Sequence, residues 1–122
     1  MSNSVKQVLV VNLAANMGIG RLFSQAAHSS IMSLLQEGKW EGNTFTILNV
    51  DDTLKYWMKE SFTKVVVKAW GEDQLRDLEK EASRNGIRTA LFTEDDGQVT
   101  CLALGPDLSK NLDPLTKTLP LL

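Results

Sequence analysis

One apolar run near the start of the chain, Val5–Leu13, constrains the fold more than any other feature of the sequence. The run is rich in valine and leucine, and apolar and polar residues hardly alternate within it. A strand that is covered on both faces of a parallel sheet has this composition, because neither of its faces meets water. The sequence therefore predicts an α/β protein in which this run is a doubly covered strand.

The rest of the chain alternates helices with strands. Gly38 is expected to cap the first helix, Gly105-Pro106 to end the last strand, and Pro114 to limit or bend a short final helix. The predicted elements that follow the first strand are a helix over about 20–37, a loop with a short edge strand over 39–50, a helix from 51 or 52 to about 59, a strand over 64–69, a helix over about 72–84, a hairpin of strands 87–93 and 99–104, and a helix within 108–116. This order predicts a three-layer α/β/α fold with a four-stranded mixed sheet, and a length of 122 residues fits a single domain spanning 1–122.

Charge and cysteine content narrow the classes of function. The chain has 15 acidic and 13 basic residues and a formal net charge of −2, so it has no general positive field for nucleic acid. Any contact with RNA must therefore come from local basic residues such as Lys64 and Lys68. Cys101 is the single cysteine, which excludes an internal disulfide and suits a reducing compartment. The apolar runs are shorter than a membrane span and the N-terminus has no apolar signal region, so we expect a cytoplasmic protein without a membrane partner.

A candidate site begins where the first strand leads into the first helix. Gly18 and Gly20 leave backbone N–H groups uncovered at the positive end of that helix, which predicts an anion site together with Arg21. Arg21, Gln25 and His28 follow at i, i+4 and i+7, so they share one helix face. The glycine pair lacks the remaining residues of a dinucleotide or nucleotide fingerprint, and no ligand spacing for a metal is present. We therefore expect neither a cofactor nor a metal.

An acidic turn completes the candidate site. In an α/β sheet, ligands collect at the carboxyl ends of the strands, and both the helix start and the turn containing Asp95 are expected at such ends. A guanidinium, an imidazole and a carboxylate placed there can bind phosphate, position water and transfer a proton. The alternative is structural: a single histidine on an apolar helix commonly only packs and hydrogen-bonds, and Asp95 suits a hairpin turn without any chemistry.

With these residues in order, the chain resembles the archaeal and eukaryotic type of peptidyl-tRNA hydrolase, the Pth2 family, almost from end to end. The segments that carry the resemblance are Met17-Gly18-Ile19-Gly20-Arg21, Ser24-Gln25-Ala26-Ala27-His28, the strand 64–69, the helix 72–86 and Thr100-Cys101-Leu102-Ala103-Leu104-Gly105-Pro106. The resemblance implies an α/β/α fold, often dimeric, that hydrolyses the ester bond between a peptide and tRNA. It implies Arg21 at the position of a functional lysine, Gln25 and His28 at the motif glutamine and histidine, and Asp95 at the acid of a conserved turn motif.

Three departures from the family pattern bear on function. Arginine at position 21 still binds phosphate but does not readily release a proton. Asn12-Leu13-Ala14 stands where the family has Arg-x-Asp. The loop after Asp95 is several residues shorter, so that Thr100 matches only a later threonine of the family. With this shorter loop, the chain is similar to a divergent branch of the family described as peptidyl-tRNA hydrolase domain-containing.

Two functions of different class follow. The first is an esterase acting on peptidyl-tRNA, with Arg21 and the amides of Gly18–Gly20 holding a phosphate, Asp95 orienting water, and His28 and Gln25 supporting the site. The second is a non-catalytic module that keeps the fold and its cleft to bind RNA or a protein partner. A related enzyme acting on another acyl or phosphate substrate is a third, weaker alternative.

Overall fold

The computed structural model describes residues 4–122, so the first three residues of the predicted domain lie outside the described range. The elements in chain order are β1 (Val5–Asn12), a 3-10 turn (Leu13–Ala15), α1 (Ile19–Leu35), β2 (Gly38–Glu41), β3 (Thr44–Ile47), α2 (Asp52–Tyr56), a π-helical turn (Trp57–Ser61), β4 (Lys64–Ala69), α3 (Glu72–Arg84), β5 (Thr89–Thr93), β6 (Val99–Leu108) and α4 (Ser109–Thr116).

The central sheet has four strands in the spatial order β4-β1-β6-β5. β1 pairs in parallel with β4, and β6 is antiparallel to both β1 and β5. This confirms the four-stranded mixed sheet and the antiparallel hairpin. Because β1 and β5 are both antiparallel to β6, they run in the same direction as each other and as β4. The carboxyl ends of β1, β4 and β5 therefore lie at one edge of the sheet, where the candidate site was expected.

Helices cover both faces of this sheet and give the predicted three layers. Alternate residues of β1 point to opposite faces: Leu9 and Val11 pack with Ala26 of α1, and Val8 and Val10 pack with side chains of α3 and α4. The buried side chains of β6 also lie on both of these faces. All of β1 except Lys6 is buried, as its unalternating sequence predicts.

The segment after α1 differs from its prediction. It forms a separate two-stranded sheet, in which β2 and β3 pair from Gly38 with Ile47 to Glu41 with Thr44. Gly38 therefore begins a strand and does not cap α1, which ends at Leu35. The reason for a glycine there is close packing, because the ring of Phe45 occupies the space that a side chain at position 38 would need.

The last strand also differs, because β6 continues through Gly105-Pro106 to Leu108. The pairing between β1 and β6 shifts by one residue between Lys6 and Val8, and Gly105 has a φ of 88° within this irregular stretch. A β-bulge is one of the places where a strand accommodates proline, which has no N–H to donate to its neighbour. The prediction that this pair ends the strand is therefore wrong.

Two short helices contain the residues that were predicted to shape them. Asp51 caps α2, since its Oδ1 accepts a hydrogen bond of 2.8 Å from the backbone N–H of Leu54. The π-helical turn then extends the helical segment to Ser61, slightly beyond the predicted end. Pro114 lies inside α4, a helix of eight residues, in agreement with a short element that contains this proline.

Candidate active site

The connection between β1 and α1 is held by the buried side chain of Asn12. Its Oδ1 accepts a hydrogen bond of 3.0 Å from the N–H of Ala14, and its Nδ2 donates one of 2.8 Å to the carbonyl of Val99. The asparagine thus caps the 3-10 turn and ties it to the first residue of β6. In the sequence it stood out only as a departure from the family pattern, whereas the structure shows that it places the start of α1 beside the β5–β6 turn.

The start of α1 is open to solvent. Gly18 is the N-cap and makes no side-chain cap, and the first intrahelical bond runs from the N–H of Leu22 to the carbonyl of Gly18. Both Gly18 and Gly20 are exposed, and no atom lies within 4 Å of the place where either would carry a Cβ. The uncapped N–H groups carry the positive end of the helix dipole. This geometry is what the predicted anion site requires.

Arg21 extends from this helix start to the β5–β6 turn, where its Nη2 forms an ion pair with the Oε1 of Glu94. The same nitrogen lies 3.4 Å from the side-chain oxygen of Gln98. The two charged side chains remain partly accessible, at 42% for Arg21 and 28% for Glu94. The guanidinium therefore stands at the surface, between the helix start and the turn.

Gln25, one helical turn further along α1, joins the same carboxylate. Its Nε2 donates a hydrogen bond of 3.2 Å to the Oε2 of Glu94, and its Oε1 accepts one of 2.6 Å from the hydroxyl of Thr100. Gln25 is 4% exposed and Thr100 is fully buried. We call Arg21, Gln25, Glu94 and Thr100 the polar cluster. A continuous hydrogen-bond chain runs through it from the interior to the surface.

A β-bulge explains how Thr100 reaches Gln25. Phe92 pairs with Cys101 and Thr93 pairs with Val99, so Thr100 is the extra residue of β6 that has no partner on β5. Such a bulge redirects the extra side chain. Thr100 and Cys101 consequently both face α1, where Cys101 accepts a bond of 3.1 Å from the hydroxyl of Ser29. Burial raises the pKa of the Cys101 thiol to about 11, which keeps it neutral.

The acidic turn is a tight hairpin, and it brings Glu94 rather than Asp95 to the polar cluster. The N–H of Glu94 donates 2.9 Å to the carbonyl of Gln98, and the N–H of Gly97 donates 2.8 Å to the carbonyl of Glu94. Asp95 is exposed within this turn, and no side-chain hydrogen bond or ion pair of Asp95 is found among residues 4–122. Sequence reasoning missed Glu94. The only sign of it in the sequence was that Glu94 is an acidic residue next to Asp95. The role of Asp95 stays a prediction.

His28 lies beside the polar cluster and does not join it. Its ring packs at a tilt against Phe92, with 4.9 Å between ring centroids, and its Nε2 lies 3.4 Å from the hydroxyl of Ser24. Seven residues of helix separate it from Arg21, which corresponds to roughly 10 Å along the axis. The shared helix face was predicted, but the structure brings together Arg21 and Gln25 and leaves His28 at its exposed margin.

The two lysines predicted to contact RNA lie at different ends of β4. Lys64 is the first residue of the strand and pairs with Gln7, whereas Lys68 pairs with Val11 near the end of β1 that leads to α1. The ammonium of Lys64 stands 3.4 Å from the centroid of the Phe62 ring, and partial burial lowers its pKa. Only Lys68 therefore lies towards the candidate site, since the strand separates Lys64 from that edge by about 17 Å.

Residues 4–122 form no group of three or more histidine, cysteine or acidic side chains that could hold a metal ion. None of the helices in this part of the chain is long and apolar enough to cross a bilayer.

Comparison with known proteins assigns the chain to a family. The chain is 32% identical to a protein of Haloquadratum walsbyi named peptidyl-tRNA hydrolase, with 96% of this chain and 99% of the other covered. Proteins of the same name from Methanopyrus kandleri and Thermococcus onnurineus are 34% and 33% identical, over 96% and 95% of this chain and 97% and 96% of theirs. The family model for peptidyl-tRNA hydrolase PTH2 matches residues 5–122. The chain therefore belongs to the PTH2 family of peptidyl-tRNA hydrolases, which confirms the resemblance seen in its sequence.

Proposed function

We propose that this protein hydrolyses the ester bond between peptide and tRNA in peptidyl-tRNA. The observation that carries the proposal is the polar cluster at the open start of α1, in a chain that matches the family over nearly its whole length. An ester hydrolase acting on a tRNA conjugate needs a cationic group for phosphate and a fixed polar group for water. Arg21 and the carboxylates of the β5–β6 turn are of these two types.

In this proposal the phosphate of the substrate binds at the helix start. Gly18 and Gly20 offer backbone N–H groups, and Arg21 offers its guanidinium. A carboxylate of the turn orients the attacking water, and Asp95 is the candidate that the resemblance implies. Gln25 and His28 support the site from α1, Gln25 through its hydrogen bonds and His28 by packing on Phe92.

Binding of tRNA requires further contacts around this site. Lys68 lies on the strand next to β1 and faces the same side of the sheet as Val66, which packs with the α1 layer. Lys64 would serve a more distant part of a large ligand. A homodimer and a cytoplasmic location, expected from the resemblance and from the single cysteine, complete the proposal. Light scattering on the purified protein tests the dimer directly.

One observation favours the second candidate, a module that binds RNA or protein without catalysis. The hairpin between β5 and β6 closes tightly from Glu94 to Gln98, so the chain has no longer loop there to carry additional side chains over the site. The polar cluster supports the esterase more strongly, because a module that needed only the fold would have no use for a buried chain of hydrogen bonds leading to a surface carboxylate.

The deciding experiment is hydrolysis of an N-blocked aminoacyl-tRNA by the purified wild type. Arg21→Ala is measured beside it, with Arg76→Ala as the matched control, since Arg76 is an exposed arginine paired with Glu72 on α3. The proposal expects hydrolysis by the wild type and the control and reduced hydrolysis by Arg21→Ala. If the wild type shows none while the Methanopyrus kandleri relative hydrolyses the same substrate, the esterase is excluded, and tRNA binding then tests the module.

A further inference from the structure

We propose that Glu94, and not Asp95, is the carboxylate that orients and deprotonates the attacking water. This inference rests on the proposed function and assigns its acid. Glu94 is held from two sides: Arg21 pairs with its Oε1, and Gln25 donates 3.2 Å to its Oε2. A group that aligns water must itself be fixed, because small displacements of a catalytic group cost much of its effect. Asp95 projects from the turn without such contacts among residues 4–122.

The support of Glu94 reaches into the protein interior. Thr100 is fully buried and donates 2.6 Å to the Oε1 of Gln25, which settles the orientation of the amide and directs its Nε2 at Glu94. Thr100 takes this place because it is the bulged residue of β6. The chain thus uses a strand irregularity, an inward-facing glutamine and a hydroxyl to hold one surface carboxylate.

Glu94 also keeps the access that its role needs. Its side chain is 28% exposed, so water and substrate can reach it. An ionised carboxylate offers about four lone-pair positions, of which Arg21 and Gln25 occupy two. The remaining positions can accept a hydrogen bond from a water molecule.

Arg21 can serve Glu94 and a phosphate together. Its contacts within residues 4–122 all use Nη2, towards Glu94 and Gln98. A guanidinium has five N–H groups, so those of Nε and Nη1 remain for an anion at the helix start. The same side chain therefore sets the spacing between the bound phosphate and the carboxylate.

The resulting step balances without any further reactant. A water molecule gives one proton to Glu94, and its oxygen forms a bond to the carbonyl carbon of the ester. The tetrahedral intermediate then breaks the bond between that carbon and the ester oxygen on the tRNA side. This oxygen takes the proton back from Glu94, so that the products are the peptide acid and the free tRNA hydroxyl.

Kinetics of Glu94→Gln with an N-blocked aminoacyl-tRNA test the assignment, beside Glu94→Asp, Asp95→Asn and the control Asp96→Asn. The control keeps the side-chain oxygen that accepts 2.8 Å from the N–H of Gln98. We expect Glu94→Gln to lower kcat by about 10²–10³-fold, the usual effect of losing one placed electrostatic group. We expect its KM to stay or to fall, because a negative charge beside Arg21 is removed. The decrease of kcat at acidic pH should also be absent in this variant.

Other outcomes overturn the assignment separately from the proposed function. Full kcat in Glu94→Gln with a large loss in Asp95→Asn would make Asp95 the acid in an active enzyme. A Glu94→Gln variant with higher KM, lower thermal stability and an unchanged pH profile would show a structural role only. A wild type without activity, beside an active archaeal relative, would instead remove the proposed function itself.

Discussion

The hydroxyl of Thr100 donates a hydrogen bond of 2.6 Å to the side-chain oxygen of Gln25, which lies 75 residues earlier in the chain. Both side chains are buried, Thr100 on the bulge of β6 and Gln25 on the inner side of α1. The bond therefore joins the interior of the sheet to the helix that carries Arg21. Because Gln25 also donates to Glu94, the bond helps to fix that carboxylate.

Removing this hydroxyl should reduce both stability and turnover. Thr100→Val keeps the shape but leaves the Oε1 of Gln25 buried without a donor, which costs about 1–3 kcal/mol in the free energy of unfolding. It also frees the amide to turn away from Glu94, so kcat should fall. Urea unfolding and steady-state kinetics measure the two effects, and Thr100→Ser is the matched control because it keeps the hydroxyl. Equal stability and activity in the valine and serine variants would contradict this role.

Inorganic phosphate should bind at the start of α1. Gly18 and Gly20 are exposed at the positive end of the helix, and Arg21 follows them in its first turn. Titration followed by NMR should shift the amide signals of these three residues. Arg21→Ala should weaken the shifts, whereas the distant Arg76→Ala should leave them unchanged. Constant amide signals at all three positions up to tens of millimolar phosphate would show that no anion site is present.

Arg21 should act on substrate capture more than on the chemical step. Its guanidinium stands at the surface beside the β5–β6 turn. In the proposed function it holds a phosphate that is present in both the ground state and the transition state. Binding of that kind lowers KM without raising kcat. Arg21→Ala should therefore raise KM several-fold more than it lowers kcat, and Arg21→Lys should recover part of the loss. A fall in kcat at constant KM would assign Arg21 to the transition state instead.

Binding of tRNA should be weak and moderately dependent on salt. The net charge of the chain is −2, so only local lysines and Arg21 can neutralise phosphates. Neutralising about two to four phosphates gives a slope of about −2 to −4 in a plot of log K against log salt concentration. Lys68→Ala should weaken binding more than Lys64→Ala, because Lys68 lies towards the site and Lys64 at the far end of the same strand. Equal effects of the two variants would mean that the tRNA does not approach from the predicted edge.

Local patterns were sufficient to predict most of the fold. The unalternating apolar residues of β1 and the turn residues before β6 are short-range signals, and they led to the observed sheet and hairpin. Gly38 and Gly105-Pro106 were misread for one reason. In both cases the cause lies in the paired strand. The ring of Phe45 on β3 fills the space at Gly38, and the irregular pairing with β1 accommodates Gly105-Pro106 within β6. Short-range signals contain neither relationship.

The candidate site, like the fold, could be predicted from the sequence only in part. Helical periodicity was enough to place Arg21 and Gln25 on one face, and the structure brings them to the same carboxylate. Which carboxylate they meet depends on the register of β5 against β6, and therefore on the bulge at Thr100. A one-residue shift in register decides whether an acid at a strand end points to the helix or to solvent. Glu94 and Asp95 are equivalent by type, so only the structure distinguishes them.

The buried thiol of Cys101 should make the stability of the protein fall at high pH. Burial raises its pKa from 9.0 to about 11, so between these values the unfolded chain releases the thiol proton while the folded protein retains it. The unfolded state then binds fewer protons, and the free energy of unfolding decreases as the pH rises, by about 3 kcal/mol over the whole range. Below about pH 9 the thiol contributes no pH dependence. Urea unfolding of the wild type and Cys101→Ala at pH 8 and pH 10.5 isolates this effect, because lysine and tyrosine titrations are common to both proteins. The wild type should lose more stability than the variant, and parallel losses would show that the thiol is not shielded from solvent in the folded state.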